Sequence, residues 1–123
     1  MEFAVARLGS ARFTHIFPAH RRAEIGGTWY AREAQGTAVN PEAKLLLLGH
    51  AFAAGLRRVE LVCDARNARS RAAILKLGAR EEGRLRAHMV LPDGGRRDSL
   101  MFSITDEDWP AVRARLEARL AAV

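Results

Sequence analysis

Cysteine, lysine, aromatic residues and long apolar runs are all scarce in this chain of 123 residues. The single cysteine, Cys63, excludes an internal disulfide and a cysteine-based zinc cluster, and its apolar neighbours favour a buried thiol. No stretch approaches the ~18 consecutive apolar residues of a membrane-spanning helix, so we expect no membrane partner. The N-terminus lacks the charged-then-apolar order of a secretory signal, and we therefore expect a cytoplasmic protein.

The formal net charge of +6 comes almost entirely from arginine, because lysine occurs only at Lys44 and Lys76. Such a charge favours an acidic partner, either nucleic acid or a polyphosphate cofactor, although a compositional bias toward alanine and arginine would also produce it. Aromatic residues make up 7% of the chain and do not alternate with basic ones, so no surface for stacking nucleobases is visible. A nucleic-acid-binding domain therefore ranks last among the functions considered.

Strand and turn patterns predict one α/β domain over residues 1–123. Residues 9–16 and 23–30 are typical of an antiparallel hairpin, and RVELVCD at 58–64 is typical of a buried strand. Residues 80–91 and 97–104 flank a Pro-Asp-Gly-Gly turn and predict a second hairpin. Because a helix separates strands 23–30 and 58–64, we expect these two to pair in parallel through a right-handed crossover.

Three helices are predicted, over residues 40–54, 68–77 and about 106–122. Asn40 is the expected N-cap of the first helix, whose apolar residues cover most of its circumference and predict a largely buried element. Asn67 or one of its neighbours begins the second helix, and Gly78 ends it. Acidic residues at 106–108 should occupy the first turn of the third helix.

Two adjacent glycines, Gly26 and Gly27, lie within the strand at 23–30. Glycine inside a strand indicates a bulge or a close approach of another group to the backbone. This strand leads into a loop, Gln35-Gly36-Thr37-Ala38-Val39-Asn40, that ends at a helix N-terminus. Such a turn directs several unpaired N–H groups at one point and can bind phosphate, but the same turn also occurs in α/β proteins with nothing bound.

Three stretches together resemble the GNAT superfamily of acetyl-CoA-dependent N-acetyltransferases, in particular its ribosomal-protein-alanine acetyltransferase-like branch. They are AEIGGTWYAREAQGTAVNPEAKLLLLGHAF, NARSRAAILKLGA and EGRLRAHMVLPDGGRRD. The resemblance implies a mixed, mostly antiparallel sheet with a central parallel splay, flanked by helices. Family domains begin with a strand, two helices and another strand before this region, so we expect a domain shortened at its N-terminus.

The resemblance also implies a site for acetyl-CoA. Gln35 matches the first position of the family's pyrophosphate loop, and Ala38 and Asn40 stand where the family has small residues. The backbone amides expected to hold the coenzyme A pyrophosphate, with Arg32 assisting, are those of Gly36, Thr37, Ala38, Val39 and Asn40. The pantetheine arm is expected along Thr28, Trp29 and Tyr30.

Four positions bear on catalysis. Asn67 matches an asparagine that family members use near the cofactor, and Ser70, one helical turn away, is a candidate general acid. Alternatively, Asn67 serves only as a helix N-cap and Ser70 only as a hydroxyl on the helix surface. Ile74 stands where many members have a tyrosine acid, so that acid is absent. Glu24 matches a catalytic glutamate and is the candidate general base, or else a strand-edge residue paired with Arg21 or Arg22.

We therefore expect transfer of an acetyl group from acetyl-CoA to a primary amine, on a protein N-terminus or a small molecule. The alternative is an inactive acyl-CoA-binding or protein-interaction module derived from a shortened domain. An exposed sheet edge at the N-terminal side favours a homo-oligomer, such as a homodimer.

Overall fold

The computed structural model describes residues 9–30 and 35–122, without the side chains of residues 27–30. Within these ranges the chain forms five strands and three α-helices. Their order is β1 (Gly9–Phe17), β2 (Arg22–Tyr30), α1 (Val39–Ala53), β3 (Arg58–Asp64), α2 (Ala68–Leu77), β4 (Arg80–Val90), β5 (Arg96–Thr105) and α3 (Trp109–Ala121). A single 3-10 turn, Pro18–His20, joins β1 to β2.

The strands form one sheet in the order β1-β2-β3-β5-β4. Neighbouring strands are antiparallel except β2 and β3, which are parallel as predicted. That parallel pairing covers only Arg22–Ile25 against Arg58–Leu61, and beyond it β2 and β3 no longer pair. The predicted mixed sheet with a central parallel splay is therefore confirmed.

One hydrophobic core lies between the sheet and the helices. Burial alternates along β3, where Val59, Leu61 and Cys63 are buried while the residues between them are partly exposed. All three helices contribute to the same core cluster, with Leu48, Leu77 and Leu116 as examples. The opposite face of the sheet carries charged side chains paired with one another, including Arg22 with Glu60 and Arg58 with Glu82.

The helix boundaries confirm two predicted signals and correct two others. Asn67 is the N-cap of α2 and accepts a hydrogen bond from the Ser70 amide, and Gly78 ends that helix at φ +107°. The N-cap of α1, however, is Ala38 and not Asn40, which lies inside the helix. The acidic residues before Trp109 precede the first turn of α3, because Asp108 bonds the Thr105 amide as part of the preceding turn.

Gly26 lies against β1 as its position in a strand predicted. A Cβ atom added there would stand 2.9 Å from Thr14 Cγ2 and 3.0 Å from Thr14 Oγ1. The pairing register between β1 and β2 shifts on both sides of this point. Close approach and bulging thus occur together.

The prediction that α1 is largely buried was wrong in part. Leu48 and Ala51 are buried, but Leu46 is 49% exposed and His50 lies on the surface. Apolar residues occupy most of the circumference of α1, but part of the helix surface is nevertheless exposed to solvent. None of the described helices has the length and apolar character needed to cross a membrane.

Candidate functional site

A cavity of about 610 Å³ lies where β2 and β3 separate. Its walls come from both strands, from the loop and first turns of α1, and from one side of α2. The β4–β5 hairpin closes it with Met89 and Arg97. The cavity therefore lies at the junction of the same elements that the sequence placed around a phosphate-binding turn.

Neighbouring residues of both strands line the cavity, Glu24 and Ile25 on β2 and Leu61 and Val62 on β3. The two strands separate beside it, because their parallel pairing stops at Ile25 and Leu61. Past this point the facing strand edges do not hydrogen-bond to each other, and an extended ligand could use them.

The loop before α1 borders the cavity through Gly36 and contains amides without a hydrogen-bond partner among the described residues. Gly36 has φ +75°, a conformation that glycine adopts without strain. Thr37 Oγ1 accepts a hydrogen bond from the Val39 amide at 3.3 Å. Within the described ranges, the amides of Gly36, Ala38 and Asn40 make no hydrogen bond. These N–H groups, together with the positive end of α1, are suited to an anion.

Charged side chains around the cavity favour an anionic ligand. Among the described lining residues, three are cationic, Lys44, Arg69 and Arg97, and one is acidic, Glu24. Arg69 Nη2 donates a hydrogen bond of 2.5 Å to Gln35 Oε1, which links α2 to the loop before α1. Arg97 Nε donates to the buried Ser99 hydroxyl at 3.1 Å.

Lys44 is the buried cation of this set, with 5% of its surface exposed. Burial lowers the pKa of its ammonium to about 8, because desolvation disfavours the charged form. Asn40 lies one helical turn before Lys44 on the same face of α1, and both residues line the cavity.

Glu24 lies in the cavity wall with 25% of its side chain exposed, and its Oε2 is 3.2 Å from His15 Nδ1 on β1. The Glu24 carbonyl accepts a hydrogen bond from the Thr14 hydroxyl at 3.4 Å. Among the described residues, no ion pair joins Glu24 to Arg21 or Arg22, and Arg22 pairs with Glu60 at 3.3 Å instead. A carboxylate beside an imidazole can accept and pass on a proton.

The start of α2 places Asn67 and Ser70 in the same wall. Asn67 Oδ1 accepts the Ser70 amide at 3.0 Å, so its Nδ2 is the part left to donate to a ligand. Burial raises the pKa of the neighbouring Cys63 thiol, and the Ser70 side chain opposes that rise. Asp64, before the turn into α2, is held by Arg66 at 2.9 Å, and this hydrogen bonding lowers the Asp64 pKa to about 2.

The structure brings together half of the site residues that the sequence suggested. Those lining the cavity are Glu24, Gln35, Gly36, Asn40, Asn67 and Ser70. Thr37, Ala38 and Val39 form the adjoining loop and the start of α1 without lining it. The backbones of Thr28, Trp29 and Tyr30 belong to β2, but their side chains, and all of Arg32, lie outside the described residues.

Sequence reasoning missed Lys44, Arg69 and Arg97 as lining residues. Lys44 had a usable signal, since it is a lone cation in an apolar helix and follows Asn40 by four residues. Arg69 and Arg97 had none, because arginine is frequent throughout the chain and the hairpin's approach to the cavity depends on the sheet order.

A family model described as an acetyltransferase (GNAT) domain matches residues 2–80. Among solved structures, an acetyltransferase from T. thermophilus is 44% identical with a TM-score of 0.88, covering 92% of this chain and 60% of its own. A GCN5-related N-acetyltransferase from Brucella melitensis is 34% identical with a TM-score of 0.86, covering 90% of this chain and 50% of its own.

Mycobacterium smegmatis RimJ, solved in complex with CoA-disulfide, is 35% identical with a TM-score of 0.76 and covers 91% of this chain and 54% of its own. This chain thus spans 50–60% of the length of these three proteins. No curated protein matches it significantly.

Proposed function

This chain belongs to the acetyltransferase (GNAT) family, and we propose that it binds acetyl-CoA and transfers the acetyl group to a primary amine. The observation that carries the proposal is the cavity at the strand splay, where unpaired loop amides, a helix N-terminus and three cationic side chains converge. The RimJ structure with CoA-disulfide supports coenzyme A as the ligand class.

The residues present fit such a ligand in two ways. The amides of Gly36, Ala38 and Asn40 would hold the pyrophosphate, with Arg69 as an additional cationic contact. The unpaired edges of β2 and β3 beyond Ile25 and Leu61 would bind the extended pantetheine arm by main-chain hydrogen bonds. When bound, acetyl-CoA supplies an activated acyl group as a thioester.

Glu24 is the proposed general base. Its carboxylate lines the cavity and is 3.2 Å from His15 Nδ1, so a proton taken from an ammonium acceptor can be shared with that imidazole. Removal of this proton produces the neutral amine, which is the nucleophilic form of the acceptor. Close positioning of amine and acyl group supplies much of the rate in such a site.

Asn67 and Ser70 are the proposed polar contacts at the reacting end. Asn67 Nδ2 can donate a hydrogen bond to an oxygen of the ligand, because Oδ1 is already used by the Ser70 amide. The Ser70 hydroxyl, which belongs to a residue lining the cavity, is the proposed proton donor to the leaving sulfur.

The acceptor is proposed to be a protein N-terminus or a small-molecule amine. The likeness to RimJ supports the ribosomal-protein-alanine acetyltransferase-like branch that the sequence resemblance indicated. The Brucella protein's description as an N-acetyltransferase supports an amine as the acceptor group. A cytoplasmic location and a homo-oligomeric assembly remain predictions from the sequence.

Isothermal titration with acetyl-CoA and with CoA tests the cofactor claim, and the expected result is saturable binding of both. Absence of binding at high micromolar concentration would contradict it. Binding without turnover across a panel of peptide and small-molecule amines would instead favour the inactive acyl-CoA-binding module.

Glu24→Gln tests the base in a preparation that is active. We expect kcat to fall by about 10²-fold, with loss of the acidic limb of the pH profile and little change in CoA affinity. Glu60→Gln is the matched control, since Glu60 lies beside Glu24 on the same sheet face but is paired with Arg22 and does not line the cavity. Equal kcat and pH profiles in wild type and Glu24→Gln would refute the assignment.

A further inference from the structure

Lys44 is a buried amine in the wall of the cavity in which we have proposed that an acyl thioester binds. Its side chain is 5% exposed, and the residue lines the same cavity as Gln35, Asn40 and Asn67. Side chains in a helix point toward its N-terminus, so the amine of Lys44 is directed back toward the loop that precedes α1. A ligand bound in the cavity would therefore lie beside Lys44 before any acceptor enters.

We propose that Lys44 is a site of self-acylation, modified by acyl-CoA bound in the cavity. This inference rests on the proposed function. In the step, the Lys44 Nζ lone pair forms a C–N bond to the thioester carbonyl carbon and the C–S bond breaks. The leaving sulfur takes the proton that the amine nitrogen loses, so the products are Nε-acyl-lysine and the free thiol.

Burial makes this amine more reactive than an ordinary lysine. With a pKa of about 8, about one Lys44 side chain in ten is neutral at pH 7, against about one in three thousand at the ordinary value of 10.5. Among the described residues, the other charged groups that line the cavity are Glu24 on β2, Arg69 on α2 and Arg97 on β5. Of these, the Glu24 carboxylate is the group that can accept a proton.

Acylation would change the cavity in two ways. It removes one of three cationic side chains from the lining, and it places an acyl group inside a volume of about 610 Å³. Both changes oppose renewed binding of an anionic acyl-CoA. Self-acylation would therefore limit the enzyme when acyl-CoA is abundant and an acceptor is scarce.

The chain contains its own control, because Lys76 is the only other lysine and is exposed near the end of α2. The protein would be incubated with acetyl-CoA or with the short thioester S-acetyl-N-acetylcysteamine, and acetylation mapped by mass spectrometry of peptides. We expect Lys44 to be acetylated at least tenfold faster by acetyl-CoA than by the short thioester, with suppression by excess CoA. Lys76 should react slowly and show no preference.

Lys76→Arg, a change at an exposed position, leaves Lys44 as the sole lysine, and peptide mapping of this variant separates acetylation of Lys44 from that of the N-terminal amine. Isothermal titration of CoA on the same preparation separates the two proposals. CoA binding without acetylation of Lys44, or equal rates at Lys44 with both thioesters, would overturn self-acylation and leave the proposed function intact. No CoA binding would overturn both.

Discussion

Gly26→Ala tests whether the close contact between β1 and β2 is as tight as the structure indicates. The new Cβ would lie 2.9 Å from Thr14 Cγ2 and 3.0 Å from Thr14 Oγ1. Threonine is β-branched and stiff at χ1, so the side chain cannot rotate away cheaply. Overpacking of this kind costs about 1–3 kcal/mol, which for a domain of this length lowers Tm by roughly 4 °C per kcal/mol.

A double-mutant cycle with Thr14→Ala separates this clash from a general effect of alanine on the strand. Thr14→Ala removes both clashing atoms and leaves only Cβ, at 3.5 Å from the added methyl group. It also removes the long hydrogen bond to the Glu24 carbonyl, at a cost of about 0.5 kcal/mol. The double mutant should therefore be more stable than Gly26→Ala alone, with a favourable coupling energy of about 1–2 kcal/mol.

Urea unfolding followed by circular dichroism gives the four free energies of unfolding. Gly83→Ala in β4 is the matched control, because a Cβ there meets nothing within 4 Å. We expect that change to alter stability by no more than about 0.5 kcal/mol. Additive effects of Gly26→Ala and Thr14→Ala, with no coupling, would refute the steric explanation.

Two further predictions concern charge. Arg69→Gln should weaken CoA binding about tenfold in isothermal titration, equivalent to one charge-assisted hydrogen bond of about 1.4 kcal/mol. Arg66→Gln is the control, because Arg66 lies outside the cavity lining and its replacement should leave CoA affinity unchanged. Equal losses of affinity in the two variants would contradict the assignment. The Arg58 guanidinium lowers the Glu82 pKa below its ordinary 4.5, so the stability this pair adds is present above that value and is lost as the pH falls through the lowered pKa. Glu82→Gln should therefore be less stable than wild type at about pH 7 in urea unfolding, and the difference should shrink as the pH falls below 4.5. An unchanged difference would disprove the linkage.

Local sequence signals predicted the elements well where one residue decides the conformation. Gly78 must adopt φ +107°, and Asn67 has the side chain that a helix N-terminus needs, so α2 was predicted with its observed bounds. The cap of α1 was predicted wrongly, because Asn40 has the right chemistry but the loop turns two residues earlier, at Ala38. The path of the preceding loop determines that position, and no single residue encodes it.

The candidate site was predictable on the loop side and much less so elsewhere. One continuous motif contains Gln35, Gly36 and Asn40, so the sequence alone predicts that these residues lie close together. The pairing of Glu24 with His15 depends instead on the register between β1 and β2, which contains two irregularities. Arg97 reaches the cavity only because β5 lies beside β3 in the sheet, an order that local patterns do not specify.

The short parallel pairing of β2 with β3 has a consequence for how this site tolerates change. Main-chain N–H and C=O groups are present whatever the side chain, so substitutions near Val62 that keep an extended strand preserve the open edge, and only proline removes a donor from it. A ligand held there is recognised by the path of the backbone more than by residue identity. Two solved proteins differ from this chain at more than half of their aligned positions and share its backbone at TM-scores of 0.86–0.88, so most of these residues can change while the path of the backbone stays the same.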